Sequence, residues 1–196
     1  MNKAQQRQTA YARRNAQVDK DVISREICRR FIELPAYEQA QTVLWYVHCR
    51  SEVRTLPTLL QQLHTDKRMA VPYCTVDAKG NTCLGLWLLK ALDELQPGMW
   101  NILEPPKSRW GDSDRQIRPA ELDIVMVPGV GFDKRGGRLG NGAGYYDRLL
   151  SEVRKDAVRV GIGYESQLFP EIITEPHDVL MDKVITERAV YCGQRQ

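Results

Sequence analysis

The chain is 196 residues long, a length that suits one domain able to bury a full hydrophobic core. Hydrophobic residues at 42% and charged residues at 27% exclude wholesale disorder. A net charge of +3 is too small to imply a nucleic-acid partner, so any basic site has to come from local clustering. Residues 3–18 hold Lys3, Arg7, Arg13 and Arg14 with no acidic residue, and read as a cationic helix. At about 100° per residue, Lys3, Arg7 and Arg14 fall on nearly one face. Ile23, Ile27 and Phe31 recur every four residues, with Cys28 and Ile32 beside them, which predicts an amphipathic helix facing a core.

Strand-length apolar runs then alternate with helical segments. TVLWYV (42–47) is followed by TLPTLLQQLHTD, where Pro57 marks a helix start. MAVPYC, CLGLWLL, LDIVMVP and VRVGIGY are further strands, VITERAVY alternates near the end, and YYDRLLSEV is a short helix. Nearly all-apolar strands separated by helices predict an α/β fold with a largely parallel sheet. With no internal repeat and one composition regime, residues 1–196 are expected to form a single domain of three α/β/α layers. No stretch approaches about 18 consecutive apolar residues, and the opening segment has no apolar core, so neither a signal peptide nor a membrane span is expected. The five cysteines include no C-x-x-C pair, and the three histidines are scattered, which argues against zinc and disulfides. The expectation is a reduced, soluble, cytoplasmic protein.

Seven of the fourteen glycines lie between Gly129 and Gly144. Pro128 ends the strand before them, because proline cannot donate to a sheet ladder. RLGNGAGYYD (138–147) then leads into a helix. Small residues at Gly140, Gly142, Ala143 and Gly144 let backbone N–H groups turn inward, and with the positive end of the helix they suit an anionic phosphate. Arg138 adds a bidentate cation. The loop is neither a Walker A loop nor a G-x-G-x-x-G opening directly off a strand.

PGVGFDKRGGRLGNGAGYYDRLL closely resembles the signature of the 5-formyltetrahydrofolate cyclo-ligase family. The resemblance extends in order through K-x-x-x-R from Lys3, YVHCRSEVRT (46–55), WNILEP (100–105) and HDVLMDKVITE (177–187), nearly the whole chain. It implies ATP-dependent closure of 5-formyltetrahydrofolate to 5,10-methenyltetrahydrofolate, with magnesium as cofactor. It implies ATP contacts at Lys3, Arg7 and the run Arg138, Leu139, Gly140, Asn141, Gly142, Ala143, Gly144, Tyr145 and Tyr146. Arg138 and Tyr145 are the expected catalytic residues. Folate contacts are expected at Val47, Glu52, Trp100 and Asn141 to Tyr145, and magnesium ligands at Asp147 and Asp178. The partners implied are these small molecules, with no nucleic acid or membrane, and a monomer is expected.

The residues alone leave alternatives at several of these positions. Lys3 and Arg7 also describe a solvated basic helix, Asp147 a carboxylate favoured by a helix dipole, Asp178 an Asx-turn, and Trp100 a core residue. A carboxylate at Glu52 suits the paired N–H donors of a pterin. Three positions depart from the family pattern: Ala143 where Lys or Gly is frequent, Asn141 where a basic residue is frequent, and Tyr73 after Pro72 where Lys or Arg is common. Ala143 and Tyr73 motivate a second reading, a nucleotide- or folate-binding protein with weak turnover. RNA binding through the basic helix is a third, and the chain has no aromatic RNA-binding motif to support it.

Overall fold

The computed structural model describes residues 1–194. Its helices are α1 (Lys3–Ala16), α2 (Lys20–Ile32), α3 (Pro35–Gln39), α4 (Leu56–Gln62) and α5 (Tyr145–Glu152). Strands β1 (Thr42–Leu44), β2 (Arg68–Val76), β3 (Thr82–Leu88), β6 (Ile124–Pro128), β9 (Val158–Ile162), β11 (Lys183–Ile185) and β12 (Val190–Cys192) form one seven-stranded sheet in the order β12-β11-β9-β6-β1-β2-β3. The inner pairs are parallel, and the edge strands β3 and β12 are antiparallel to their neighbours. Strands β7 (Gly131–Asp133), β8 (Arg138–Leu139) and β10 (Leu168–Phe169) make a small second sheet, and β4 (Gln96–Pro97) pairs with β5 (Leu103–Glu104).

The period-2 alternation of the buried strands sorts their side chains into two cores. Val43, Trp45, Ile124, Met126, Val160 and Ile162 join Ile27 and Phe31 of α2, Tyr37 of α3 and Leu59 of α4 on one face. Leu44, Val125, Val127 and Val184 join Leu149 and Leu150 of α5 on the other. That is the expected three-layer arrangement with a mostly parallel sheet. Helix α1 packs elsewhere: its Ala10 meets Val130, Leu139, Phe169 and Ile172 in a third, smaller core over the second sheet.

Three expectations change in detail. β1 stops at Leu44 because Tyr46 and Val47 leave the ladder to line a cavity. VITERAVY is two strands, not one: the Thr186 hydroxyl accepts from the N–H groups of Arg188 and Ala189 at 3.2 and 3.3 Å and turns the chain back. The glycine-rich stretch also has two parts. Gly136 sits at φ +97 in the β7–β8 turn, where an added Cβ would lie 2.3 Å from the Met181 carbonyl oxygen. Only the later glycines, from Gly140 onward, form the loop before α5.

Candidate active site

The chain runs from β1 outward to β2 and β3, then returns to place β6 on the other side of β1. That reversal opens a crevice at the carboxyl ends of β1 and β6, where open α/β sheets place their ligands. A cavity of about 440 Å³ lies there, lined by Tyr46 and Val47 beyond β1 and by Pro128 and Gly129 at the end of β6. A second cavity, of about 410 Å³, is lined by Lys3 and Arg7 of α1 and by Asp178. Arg138, Gly140, Gly142, Gly144 and Asp147 border both. The glycine loop is therefore a wall with a cavity on each side.

The second cavity is ionic. Asn2 and Gln5 cap the start of α1 reciprocally, at 2.9 and 2.8 Å, and so fix the turn that carries Lys3. Lys3 Nζ lies 2.7 Å from Asp178 Oδ2 and 3.4 Å from Glu175 Oε1. Arg7 Nε donates to the Gly140 carbonyl at 3.0 Å, which ties α1 to the loop. Arg138 Nη2 lies 2.6 Å from Asp147 Oδ1 in the first turn of α5. The Arg138 side chain is only 5% exposed, and its buried Nε has no hydrogen-bond partner among the described residues. Burial raises the Asp178 carboxyl, but the hydrogen bonds from Lys3 and the Glu175 N–H, with the charges of Lys3 and His177, outweigh it and hold it below its ordinary value.

The first cavity is aromatic, with carboxylates at its base. Trp100 and Tyr145 meet edge to face at 6.4 Å, and Trp100 is 54% exposed in a left-handed conformation at φ +56. Glu52 Oε2 accepts from the Cys49 N–H at 2.9 Å, and Oε1 lies 3.7 Å from Arg14 Nη1. Burial pushes the Glu52 carboxyl above its ordinary value, against the opposing pull of the Cys49 N–H, Arg14 and Arg50. Burial likewise raises the Tyr146 phenol, with the Glu52 charge adding to it and Arg138 opposing. The Cys74 thiol in this cavity is pushed up to about 11, chiefly by burial, and Cys49 is raised for the same first reason, so neither is a thiolate nucleophile at neutral pH.

The structure gathers the sequence-selected residues closely. Lys3, Arg7 and Asp178 line the ionic cavity; Val47, Glu52, Trp100, Asn141, Ala143, Tyr145 and Tyr146 line the aromatic one. Leu139 lines neither: it is buried in the third core, and its carbonyl accepts from the Val130 N–H at 2.8 Å. Asp178 does not make the Asx-turn: its Oδ2 accepts from the Glu175 N–H at 2.7 Å, three residues back rather than two residues on. Among the described residues no group of three His, Cys, Asp or Glu side chains forms a metal cage.

Residues to which the sequence assigned no site role also belong here. Arg14 is buried, donates to Ser51 Oγ at 3.1 Å and faces Glu52 from α1. Glu104 is 5% exposed at the cavity base. Arg148 Nη2 donates to the Ala143 carbonyl at 2.9 Å and lies over the Tyr145 ring, bringing a guanidinium to the loop at the position lacking a basic side chain. Tyr73 lies across Gly85 on the facing strand and stacks at 4.7 Å on Trp110. It fills space in the cavity wall. A Glu104 carboxylate or an Arg148 cation is visible in sequence only as an ordinary charge on a short element.

Comparison with known proteins agrees with this geometry. A family model described as the 5-formyltetrahydrofolate cyclo-ligase family matches residues 1–187. The 5-formyltetrahydrofolate cyclo-ligase of Mycolicibacterium smegmatis is 32% identical over 148 residues, covering 76% of this chain and 74% of that protein. The Escherichia coli protein of the same name is 28% identical over 172 residues, covering 86% and 90%. The NMR structure of Aquifex aeolicus 5,10-methenyltetrahydrofolate synthetase superimposes with a TM-score of 0.81 at 28% identity, covering 100% of this chain and 94% of that one. A whole-chain family match, joined to a two-sided loop at the switch point of the sheet, makes this chain a member of the 5-formyltetrahydrofolate cyclo-ligase family.

Proposed function

We propose that ATP binds in the ionic cavity and 5-formyltetrahydrofolate in the aromatic one, and that the enzyme closes the folate to 5,10-methenyltetrahydrofolate with release of ADP and phosphate. The shared wall carries this reading: Arg138, Gly140, Gly142, Gly144 and Asp147 border both cavities, as transfer between two bound substrates requires.

A formamide oxygen is a poor leaving group. Transfer of the ATP γ-phosphoryl group forms an O–P bond at that oxygen and breaks the bond to ADP. The second amine nitrogen of the folate then attacks the formyl carbon and gives up its proton, and phosphate departs with the electrons of the C–O bond. The protein's work is in-line positioning and charge neutralisation. Lys3, Arg7 and Arg138 neutralise the phosphates, and the unpartnered Arg138 Nε fits a group still seeking an acceptor. The loop N–H groups and the start of α5 add to this. Trp100, Tyr145 and Val47 enclose the flat rings, and Glu52 accepts from the pterin.

Magnesium fits the remaining carboxylates. Asp147 and Asp178 face one cavity, and the ion needs only one or two carboxylates besides water and phosphate oxygens. When bound it supplies further neutralisation of phosphate charge. The same reading takes the chain as a cytoplasmic monomer acting on small molecules; among the described residues no helix is long and apolar enough to cross a membrane. The test is the absorbance band of methenyl-folate after mixing protein, magnesium, ATP and 5-formyltetrahydrofolate. Its appearance in proportion to ADP supports the reading, and binding of both substrates without the band leaves the weak-turnover alternative.

A further inference from the structure

The mouth of the aromatic cavity carries a cation that the fold does not explain. Arg50 is exposed, lines that cavity, and makes no hydrogen bond or salt bridge with any described residue. Its backbone is left-handed at φ +52, in a turn closed by the Glu52 N–H on the Cys49 carbonyl at 3.1 Å. Glycine or asparagine is the favoured choice at such a turn position, so backbone stability does not account for an arginine there. Its charge also acts on Glu52, but the cation within ion-pair distance of that carboxylate is Arg14, at 3.7 Å.

The cavity is polar in a directed way. At its base are the half-buried carboxylate of Glu52 and the buried carboxylate of Glu104. Glu104 accepts the N–H groups of Cys74 and Met99 at 3.3 Å each, and no cation among the described residues pairs with it. At the mouth are the exposed Trp100 indole and the unpaired Arg50 guanidinium, on two turns joined by the Cys49 thiol and the Trp100 carbonyl at 3.9 Å. A reduced folate has the matching order: a donor-rich pterin, an aryl linker, and a glutamate with two carboxylates. Acceptors at the base fit the pterin; the cation at the mouth fits the tail.

We propose that Arg50 anchors the glutamate carboxylates of the folate, as a tail subsite built into the first turn after β1. The guanidinium fork suits a carboxylate in two-point contact. This rests on the functional reading above. The test compares 5-formyltetrahydrofolate with 5-formyltetrahydropteroate, which lacks the glutamate, in the unaltered enzyme and in Arg50→Gln, Arg50→Lys and Arg50→Gly. Binding is followed by equilibrium dialysis and turnover by methenyl formation. For the glutamate-bearing substrate, Arg50→Gln should raise KM and Kd about tenfold with kcat little changed, the pattern of a contact made equally in the ground and transition states. The pteroate should be unaffected, and Arg50→Lys should recover part of the loss. Arg50→Gly should match Arg50→Gln in binding while its urea midpoint stays level or rises. Equal losses with both substrates, no loss with either, or a destabilised Arg50→Gly would overturn the anchor. An unaltered enzyme that forms no methenyl product from either substrate would instead sink the functional reading.

Discussion

At the residue scale the site is governed by charges held away from water. Arg138 is nearly buried, with Asp147 on one nitrogen and nothing on Nε. Arg138→Ala is expected to weaken ATP use by about 1.5–3 kcal/mol, roughly 10- to 100-fold, with the fold retained. A folded variant with ordinary ATP affinity and turnover would remove Arg138 from the phosphate site. Glu52 offers a pH test. Its carboxyl is raised chiefly by burial, so it takes up a proton at a higher pH than an ordinary glutamate. If the charged form accepts the pterin, as proposed, the folate KM should climb on acidification while the pH is still above 4.5. Protonation of a group whose folded pKa is raised favours the fold; its contribution is full in acid and is lost as pH rises through the folded value. Unfolding driven by Glu52 therefore cannot mimic the effect. Glu52→Gln should raise the folate KM at neutral pH and flatten the acid limb. An unchanged limb in that variant assigns it to another group.

Elements differ in how far the sequence exposed them. The long helices α1 and α2, by their spacing, and the strands β2, β3, β6 and β9, by their apolar runs, are legible to within a few residues. Two-residue strands such as β4, β5, β8 and β10 have no period to read and are defined only by their pairing, local for β4–β5 and β7–β8 and distant for β10 on β7. The glycine stretch looked like one loop because composition cannot show that Gly136 serves a hairpin while Gly140, Gly142 and Gly144 serve the cavities. That division is testable. Gly136→Ala places a side chain at φ +97 against the Met181 carbonyl, and should cost about 3 kcal/mol or more, read as a lower urea midpoint. Gly142→Ala meets nothing closer than Arg7 at 3.7 Å, so it carries the backbone strain of φ +98 without the clash and should lower the midpoint less than Gly136→Ala. A Gly136→Ala protein as stable as the parent would mean that the β7–β8 turn is not held against Met181.

Across the whole molecule, sheet order does what no local motif can. The reversal between β1 and β6 brings residues near positions 47, 100, 140 and 178 to one crevice. Motif resemblance picked out Glu52, Arg138 and Asp178, because loops of this family carry recognisable patterns. Arg50 and Glu104 stayed hidden, and Arg14 was visible only as one more cation on the α1 face, since each shows its burial or lack of a partner only once the elements are assembled. The two aspartates come together in the same way. Asp147→Asn and Asp178→Asn should each raise the magnesium concentration needed for half-maximal rate, with circular dichroism confirming the fold and excess magnesium restoring part of the activity. A shifted curve for Asp147→Asn alone would leave Asp178 as a turn residue tied to Lys3.

The link between Lys3 and Asp178 also bears on how the protein is made, because these residues lie 175 positions apart. Helix α1 is synthesised before its docking partners in β7, β8 and β10, the glycine loop and Asp178, which follow long after it in the chain. A growing chain can lay β1 beside β2 long before α1 has anywhere to settle. The ionic cavity is therefore completed by closure of an early helix onto late segments, a contact of high sequence separation and slow formation. A nascent chain stalled before position 178 lacks the carboxylate that Lys3 meets, so ATP should protect it from proteolysis far less than the released protein.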